Sequence, residues 1–254
     1  MRLVIPACHC HNYRFKLANK TFRRLSQAPI WSSPLIITRR AFTAALSLTG
    51  IAALTGLSPL RLIDSAMAQS ASAADVAKPV SLPDMALGPA NAAVTITEYA
   101  SMTCGHCANF TTEVFPKIKA EYIDSGKVRF VFREFPLDIK AAAGSMLARC
   151  IAKDDAPKYF AVVDMLFKQQ NDWVMKNTTE TLTRIGKQAG LSQQAVEDCL
   201  KDQALLDKLA ADKKYANVVL KVNSTPSFLI NGELVRGEIS FEDFKKKIDP
   251  LLKS

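Results

Sequence analysis

Two cysteines of this chain, Cys104 and Cys107, are separated only by Gly105 and His106. Such a pair can bind a metal, form a structural disulfide or exchange electrons as a reactive dithiol. An apolar segment typical of a strand precedes the pair, and a helical pattern begins at or just after Cys104. Free backbone N–H groups and the helix dipole would therefore face the Cys104 sulfur and favour the thiolate, which is the nucleophile in disulfide exchange.

The spacing of the pair and its histidine favour redox chemistry further. Cys107 lies one helical turn after Cys104, so it can displace a substrate from a mixed disulfide. A protonated His106 would add positive charge near the Cys104 sulfur, and a stabilised thiolate makes the disulfide more oxidising. The sequence thus indicates Cys104, Cys107 and His106 as catalytic residues.

The two other chemistries have less support. A structural zinc site needs four ligands, but His106 is the only histidine after residue 68, and Cys150 and Cys199 are isolated. We therefore expect no metal. An inert structural disulfide at Cys104 and Cys107 is disfavoured because a helix N-terminus makes a disulfide easier to reduce.

The first 68 residues have the composition of an export signal. They carry nine Lys or Arg and one acid, so only +1 of the formal net charge of +9 belongs to the rest of the chain. A basic stretch ending at Arg39-Arg40 precedes an uncharged apolar run, and Ala66-Met67-Ala68 has the pattern of a cleavage site. We expect cleavage after Ala68, with the Sec and twin-arginine routes both open and an uncleaved membrane anchor as the alternative. No nucleic-acid partner is expected, because the rest of the chain lacks an excess of basic residues.

Hydrophobic periodicity indicates an α/β unit that a helical block interrupts. The predicted strands span residues 93–100, 127–133, 226–230 and 233–236. The first two flank a helix that Pro116 should kink, and the last two flank an Asn231-Gly232 hairpin turn. Helical spacing extends from about 138 to 216. The pattern therefore predicts an α/β domain with an all-helical insertion.

Two separate stretches carry a family resemblance. The segment from Thr97 to Cys107 reads TEYASMTCGHC, and Ser224-Thr225-Pro226 follows far downstream. Together they resemble the DsbA-like thiol–disulfide oxidoreductases of the thioredoxin superfamily, over roughly residues 93–254. The resemblance implies an α/β thioredoxin fold with an inserted all-helical domain. The expected boundaries are 69–79 for a flexible tether, 80–138 and 216–254 for the thioredoxin-like domain, and 139–215 for the insertion.

The resemblance also implies roles for single residues. Thr225 and Pro226 match the cis-proline loop that lies against the active-site cysteines and binds substrate. Glu98 matches a buried acid that is proposed to move the proton of the second cysteine, with a solvent-facing glutamate as the alternative. Cys150 and Cys199 match a structural disulfide found in relatives, the alternative being two small buried thiols.

The function expected from these features is disulfide formation in the periplasm. Reduced exported proteins would be the substrates, a DsbB-type membrane protein would reoxidise the pair, and the enzyme would be a monomer without a cofactor. The Gly105-His106 dipeptide is that of protein disulfide isomerases, so an isomerase or reductase is the nearest alternative. A non-enzymatic thioredoxin-fold binding module is the other, and it would leave the pKa of Cys104 near about 8.5.

Overall fold

The computed structural model describes residues 75, 76, 78 and 81–253. The predicted export signal at 1–68 lies outside the described residues, as does most of the predicted tether at 69–79. Within the tether, Val76 is buried in an apolar cluster that includes Tyr99 and Leu229. The sequence did not indicate this packing.

A five-stranded sheet lies at the centre of the described chain, with the strand order β1-β3-β2-β4-β5. The strands are β1 (Met85–Leu87), β2 (Val94–Ala100), β3 (Val128–Glu134), β4 (Ser227–Ile230) and β5 (Glu233–Arg236). Strands β2 and β3 run parallel, and the other neighbouring strands are antiparallel. A parallel pair needs a crossover connection, which here is a helix that carries Cys107 in its first turns.

This crossover helix, α1, consists of four consecutive segments. They are α-helical Gly105–Asn109, π-helical Phe110–Val114, α-helical Phe115–Ile118 and π-helical Lys119–Ile123. Pro116 has no N–H to donate to the carbonyl four residues earlier, and the π-helical turn directly before its segment accommodates the missing bond. The interruption expected at Pro116 is therefore present as a change of helix type.

The block between β3 and β4 is entirely helical. Its helices are α2 (Ile139–Ala152), α3 (Ala156–Lys168), α4 (Gln170–Met175), α5 (Thr178–Gln188), α6 (Gln193–Leu200) and α7 (Gln203–Val218). Side chains that accept a backbone N–H cap four of them, which satisfies donors that a helix start leaves free. These capping residues are Asp138, Asp155, Ser192 and Asp202. Helix α8 (Phe241–Leu251) ends the chain and is capped by Ser240.

An aromatic cluster holds α1 and α8 against the sheet. Phe110 of α1 lies 4.7 Å from Phe228 of β4 between ring centroids, and Phe228 lies 4.9 Å from Phe244 of α8. All three side chains are fully buried. Burial of one such side chain contributes about 1.5–3 kcal/mol to stability. The cluster therefore holds the first turns of α1 against β4.

A buried ion pair joins the sheet to the helical block. Arg149 of α2 donates to both carboxylate oxygens of Glu134 at the end of β3, at 2.5 and 2.8 Å, and to the carbonyl of Pro83. Tyr159 of α3 donates to the same carboxylate at 2.6 Å. These bonds offset the desolvation of the two charges. Helices α2 and α3 are thus attached to the end of β3, the strand that follows α1.

The predicted strands agree with the structure to within one residue at each end. Strand β1 was not predicted, because three residues, Met85-Ala86-Leu87, carry no detectable alternation. Pairing with Phe130–Phe132 of β3 supplies the order that their own sequence does not.

Candidate redox site

Cys104 occupies the N-cap position of α1, directly after the loop that leaves β2. Its side chain is half-buried, and its sulfur lies 3.3 Å from the carbonyl oxygen of Thr225. The backbone is held on both sides, since the Cys104 N–H donates to Ser101 and its carbonyl accepts from Ala108. Both cysteines of the pair are free thiols, so the structure shows the dithiol form.

The surroundings of Cys104 lower its pKa to about 5. The largest cause is a hydrogen bond from the Cys107 side chain, which stabilises the Cys104 thiolate. The Thr225 side chain and the backbone N–H groups of Cys107 and His106 act in the same direction, and partial burial opposes them. At neutral pH the half-buried sulfur is therefore an ionised nucleophile.

Cys107 has the opposite environment. Its side chain is fully buried, and burial raises the pKa of its thiol far above the ordinary range. The hydrogen bond to Cys104 and the charge of Glu98 raise it further. One thiol of the pair is thus ionised and accessible, while the other is protonated and enclosed.

His106 projects into solvent, with 73% of its side chain exposed. Its Nδ1 lies 2.9 Å from a carboxylate oxygen of Glu238 in the loop between β5 and α8. This contact, followed by the charge of Cys104, raises the pKa of His106. The positive charge of the His106 imidazolium and the negative charge of the Cys104 thiolate therefore stabilise each other. Glu238 was missed in the sequence because it lies 132 residues from His106.

The loop before β4 lies against the Cys104 sulfur. Its Thr225–Pro226 peptide bond is cis. The Thr225 hydroxyl is buried and has no hydrogen-bond partner among the described residues while Cys104 is a thiol. On ionisation of Cys104 this hydroxyl can donate to the sulfur, which is how the Thr225 side chain lowers the pKa of Cys104. The tertiary fold thus brings together residues that are 121 positions apart.

Glu98 lies beneath the cysteine pair on β2, between Phe132 of β3 and Phe228 of β4. Only 2% of its surface is exposed, so the alternative of a solvent-facing glutamate does not apply. Burial raises the pKa of its carboxyl group well above the usual range, and the Cys104 charge adds to the effect. Burial therefore favours the protonated form of this side chain beside the enclosed thiol.

Two polar contacts attach the cysteine loop to the helical block, and the sequence did not indicate either. Gln170 at the start of α4 donates from Nε2 to the carbonyls of Met102 and Cys104, at 2.9 and 3.0 Å. The Thr103 hydroxyl donates to Asp138, the cap of α2, at 2.7 Å. The insertion therefore helps to position the loop that presents Cys104.

The other two cysteines of the described chain lie in the insertion. A disulfide joins Cys150 of α2 to Cys199 of α6 across 49 positions of the sequence. Cys199 is buried beside Met146 and Leu209. The bond therefore ties together two helices of the insertion and lies apart from the elements that carry Cys104.

The described chain has no group of three or more His, Cys, Asp or Glu side chains arranged to hold a metal ion. None of its helices combines the length and the apolar character needed to cross a bilayer.

Comparison with known proteins gives consistent matches. A family model described as Thioredoxin matches residues 81–250. The crystal structure of alpha-DsbA1 from Wolbachia pipientis is 33% identical, covers 72% of this chain and 96% of that chain, and superimposes with a TM-score of 0.65. These matches confirm the expected fold class, a thioredoxin fold with an inserted helical domain.

Two matches come from sequence comparison. A Rickettsia bellii protein that is provisionally named a protein-disulfide oxidoreductase is 36% identical over 150 residues, which are 59% of this chain and 57% of that protein. Disulfide bond formation protein D of Bacillus subtilis is 24% identical over 172 residues, which are 66% of this chain and 76% of that protein. The chain therefore spans less than two thirds of the length of the Rickettsia relative.

Proposed function

Because the chain belongs to the DsbA-like group of the thioredoxin superfamily, we propose that it is a thiol–disulfide oxidoreductase that forms disulfide bonds in exported proteins. The observation that supports this most is the contrast within the pair: Cys104 is half-buried with a pKa of about 5, whereas Cys107 is enclosed and protonated. A binding module without redox activity has no need of such a nucleophile, and its cysteine would keep a pKa near about 8.5.

The reaction begins from the oxidised Cys104–Cys107 disulfide. A substrate thiolate attacks the accessible Cys104 sulfur, the bond to Cys107 breaks, and Cys107 leaves as a thiolate. Glu98 transfers its proton to this buried thiolate, which burial disfavours in the charged form. The products of this step are a Cys104–substrate mixed disulfide, a Cys107 thiol and a Glu98 carboxylate. The proton released when the substrate thiol ionised restores the acid form of Glu98.

The second step releases the oxidised substrate. A second substrate thiolate attacks the substrate sulfur of the mixed disulfide, and Cys104 leaves as a thiolate. A thiol of low pKa is a good leaving group, and the pKa of Cys104 is about 5. Two electrons have then passed from the substrate dithiol to the enzyme, which is left in the reduced form that the structure shows.

Substrates bind as extended segments beside the cis-proline loop. A groove of about 470 Å³ lies on this side of the site, and its lining includes His106, Thr225, Glu238 and Ser240. A polypeptide in this groove would pair with the backbone of the loop, which gives affinity without demanding one sequence. Broad substrate range follows from this mode of recognition.

The cellular setting is part of the same proposal. The enzyme acts as a monomer in the periplasm after removal of residues 1–68, and a DsbB-type membrane protein reoxidises it. Residues 80–138 and 216–254 form the thioredoxin-like domain, and 139–215 form the insertion. Cys150 and Cys199 serve as a structural disulfide.

Replacement of the nucleophile tests the proposal directly. Cys104→Ala should abolish oxidation of a reduced test protein, whereas Cys199→Ala should keep most of the activity. The assay follows the recovery of free thiols and of folded substrate. Full activity of Cys104→Ala would disprove the proposed chemistry.

The redox potential against glutathione separates an oxidase from the alternatives. Oxidases of this type lie near about −120 mV, disulfide isomerases near about −180 mV and thioredoxin-like reductases near about −270 mV. We expect the oxidising end of this range, because the low pKa of Cys104 stabilises the reduced form. A potential at or below about −180 mV would instead assign isomerase or reductase activity.

A further inference from the structure

A second concave site lies on the side of the sheet that α1 covers. It is a cleft of about 310 Å³ between α1 and α3, above β1 and β3. Its walls are mainly apolar and include Leu87, Phe115, Phe132 and Phe160. This volume is at the lower end of the range for small-molecule sites in proteins.

The aromatic walls of the cleft are ordered relative to one another. The rings of Phe115 and Phe160 are stacked at 5.8 Å with 8° between their planes. Phe132 meets Phe160 edge to face at 6.3 Å. Flat aromatic molecules gain both stacking and edge contacts against such walls.

One polar group in the inner wall lacks a partner. Glu98 lines the cleft, and among the described residues its Oε1 is buried without a hydrogen bond. Leaving such an atom unsatisfied is unfavourable, because nothing replaces the hydrogen bonds that it would make to water. The charged residues at the outer edge of the cleft already have partners, since Lys119 pairs with Asp124 and Asp164 pairs with Lys168.

From this arrangement we infer that the cleft is a binding site for a small aromatic alcohol, whose ring packs against the phenylalanines and whose hydroxyl group reaches Glu98. A hydroxyl group can both donate and accept, so it suits Oε1 whether the acid is neutral or ionised. A cationic amine fits less well, because burial favours the neutral form of Glu98 and the amine would then bury a charge that has no partner. Water is the competing occupant, but it would gain nothing from the aromatic walls.

Paired probes test the inference on the full-length chain. 2-Naphthol should bind roughly tenfold more tightly than naphthalene, because only the alcohol satisfies Glu98 Oε1. Glu98→Leu should remove this preference, while Glu98→Gln should keep it, because an amide still donates and accepts. Binding is measured by titration of NMR chemical shifts, which also locates the probe.

Two further variants examine the location. Ala161→Leu adds bulk at an exposed helical position that lines the cleft and should weaken both probes at least about tenfold. Ala204→Leu is the matched control at an exposed position of α7 and should change neither. Equal binding of the two probes, a preference that survives Glu98→Leu, or binding unaffected by Ala161→Leu would overturn the inference. Cys104→Ala should bind 2-naphthol normally, so this result is independent of the redox proposal.

Discussion

The two cysteine pairs of the described chain have opposite environments. Cys104 and Cys107 are three positions apart at the start of a helix, where backbone N–H groups and the cis-proline loop surround one sulfur. Cys150 and Cys199 are 49 positions apart on two packed helices and form a disulfide. The first pair exposes a thiolate to solvent, and the second connects elements within the insertion.

This contrast shows that the position of a cysteine in the fold decides its chemistry. A thiol at a helix N-terminus is ionised by donors that the backbone leaves free. A cysteine in the middle or at the end of a packed helix meets apolar side chains, as Cys199 meets Met146 and Leu209. Each pair should therefore respond differently to the same change.

The largest expected difference is in activity. Cys107→Ala cannot form the Cys104–Cys107 disulfide from which the reaction begins, so turnover should stop. Any mixed disulfide that Cys104 forms with an already oxidised thiol should persist, because no Cys107 thiol is present to displace it. The double variant Cys150→Ala/Cys199→Ala should stay within about twofold of the natural activity, because the two pairs share no partners. Thiol oxidation assays and non-reducing gels measure both results. Loss of activity in the double variant would show that the pairs are functionally coupled.

For stability we expect the opposite: loss of the Cys150–Cys199 pair should matter more than loss of the Cys104–Cys107 pair. Cys150→Ala/Cys199→Ala opens a loop of 49 positions, and the entropy that this loop gives the unfolded chain lowers the free energy of unfolding by about 4 kcal/mol. Urea denaturation of the oxidised protein measures the loss. A decrease below about 1 kcal/mol would argue against a structural role for this disulfide.

A third prediction concerns pH. The pKa of Cys104 in the folded reduced protein is about 5, below the value of about 8.5 for an unperturbed thiol. A depressed pKa stabilises the folded state above the unfolded value, and this stabilisation is lost as the pH falls toward the folded value. The reduced protein should therefore lose stability between about pH 9 and pH 5, in a window where the Cys150–Cys199 disulfide does not titrate.

Thiolate absorbance and urea midpoints of the reduced protein follow this dependence. Cys107→Ala should move the thiolate titration of Cys104 upward, since the Cys107 hydrogen bond is the largest cause of the low pKa. An unchanged titration in that variant would assign the low pKa to the backbone and Thr225 instead.

The smallest predicted effect is at Glu238. Glu238→Gln should lower the pKa of His106, because the neutral amide no longer favours the imidazolium. The stabilisation from this pair is present below the ordinary histidine pKa and is lost as the pH rises through the raised folded value. NMR titration of the His106 ring measures the shift, with Glu242→Gln on α8 as the control. An identical His106 pKa in both variants would show that the ion pair has no effect in solution.

The local chemistry of the site was predictable from the sequence. The strand before Cys104, the helix after it and the Asn231-Gly232 turn follow from short-range preferences of the chain. The side-chain caps of Ser192 and Ser240 are local too. These features depend on residues that are close together in the sequence, so a short stretch is enough to predict them.

The contacts that complete the site depend on the tertiary structure. Glu238 reaches His106 across 132 positions, and Gln170 reaches the Cys104 carbonyl across 66. The sequence alone does not show which residues so far apart along the chain come into contact. The sequence of a strand does not show whether a glutamate in it faces solvent or the protein interior. The burial of Glu98 follows from the packing of β3 and β4 on either side of β2.

The sequence by itself determined that Cys104 and Cys107 lie at a strand–helix junction, because helix starts and strand ends are encoded locally. It could not determine the pKa of either thiol. The two pKa values differ because folding places the Cys104 sulfur beside the Thr225 loop and encloses the Cys107 sulfur among apolar side chains.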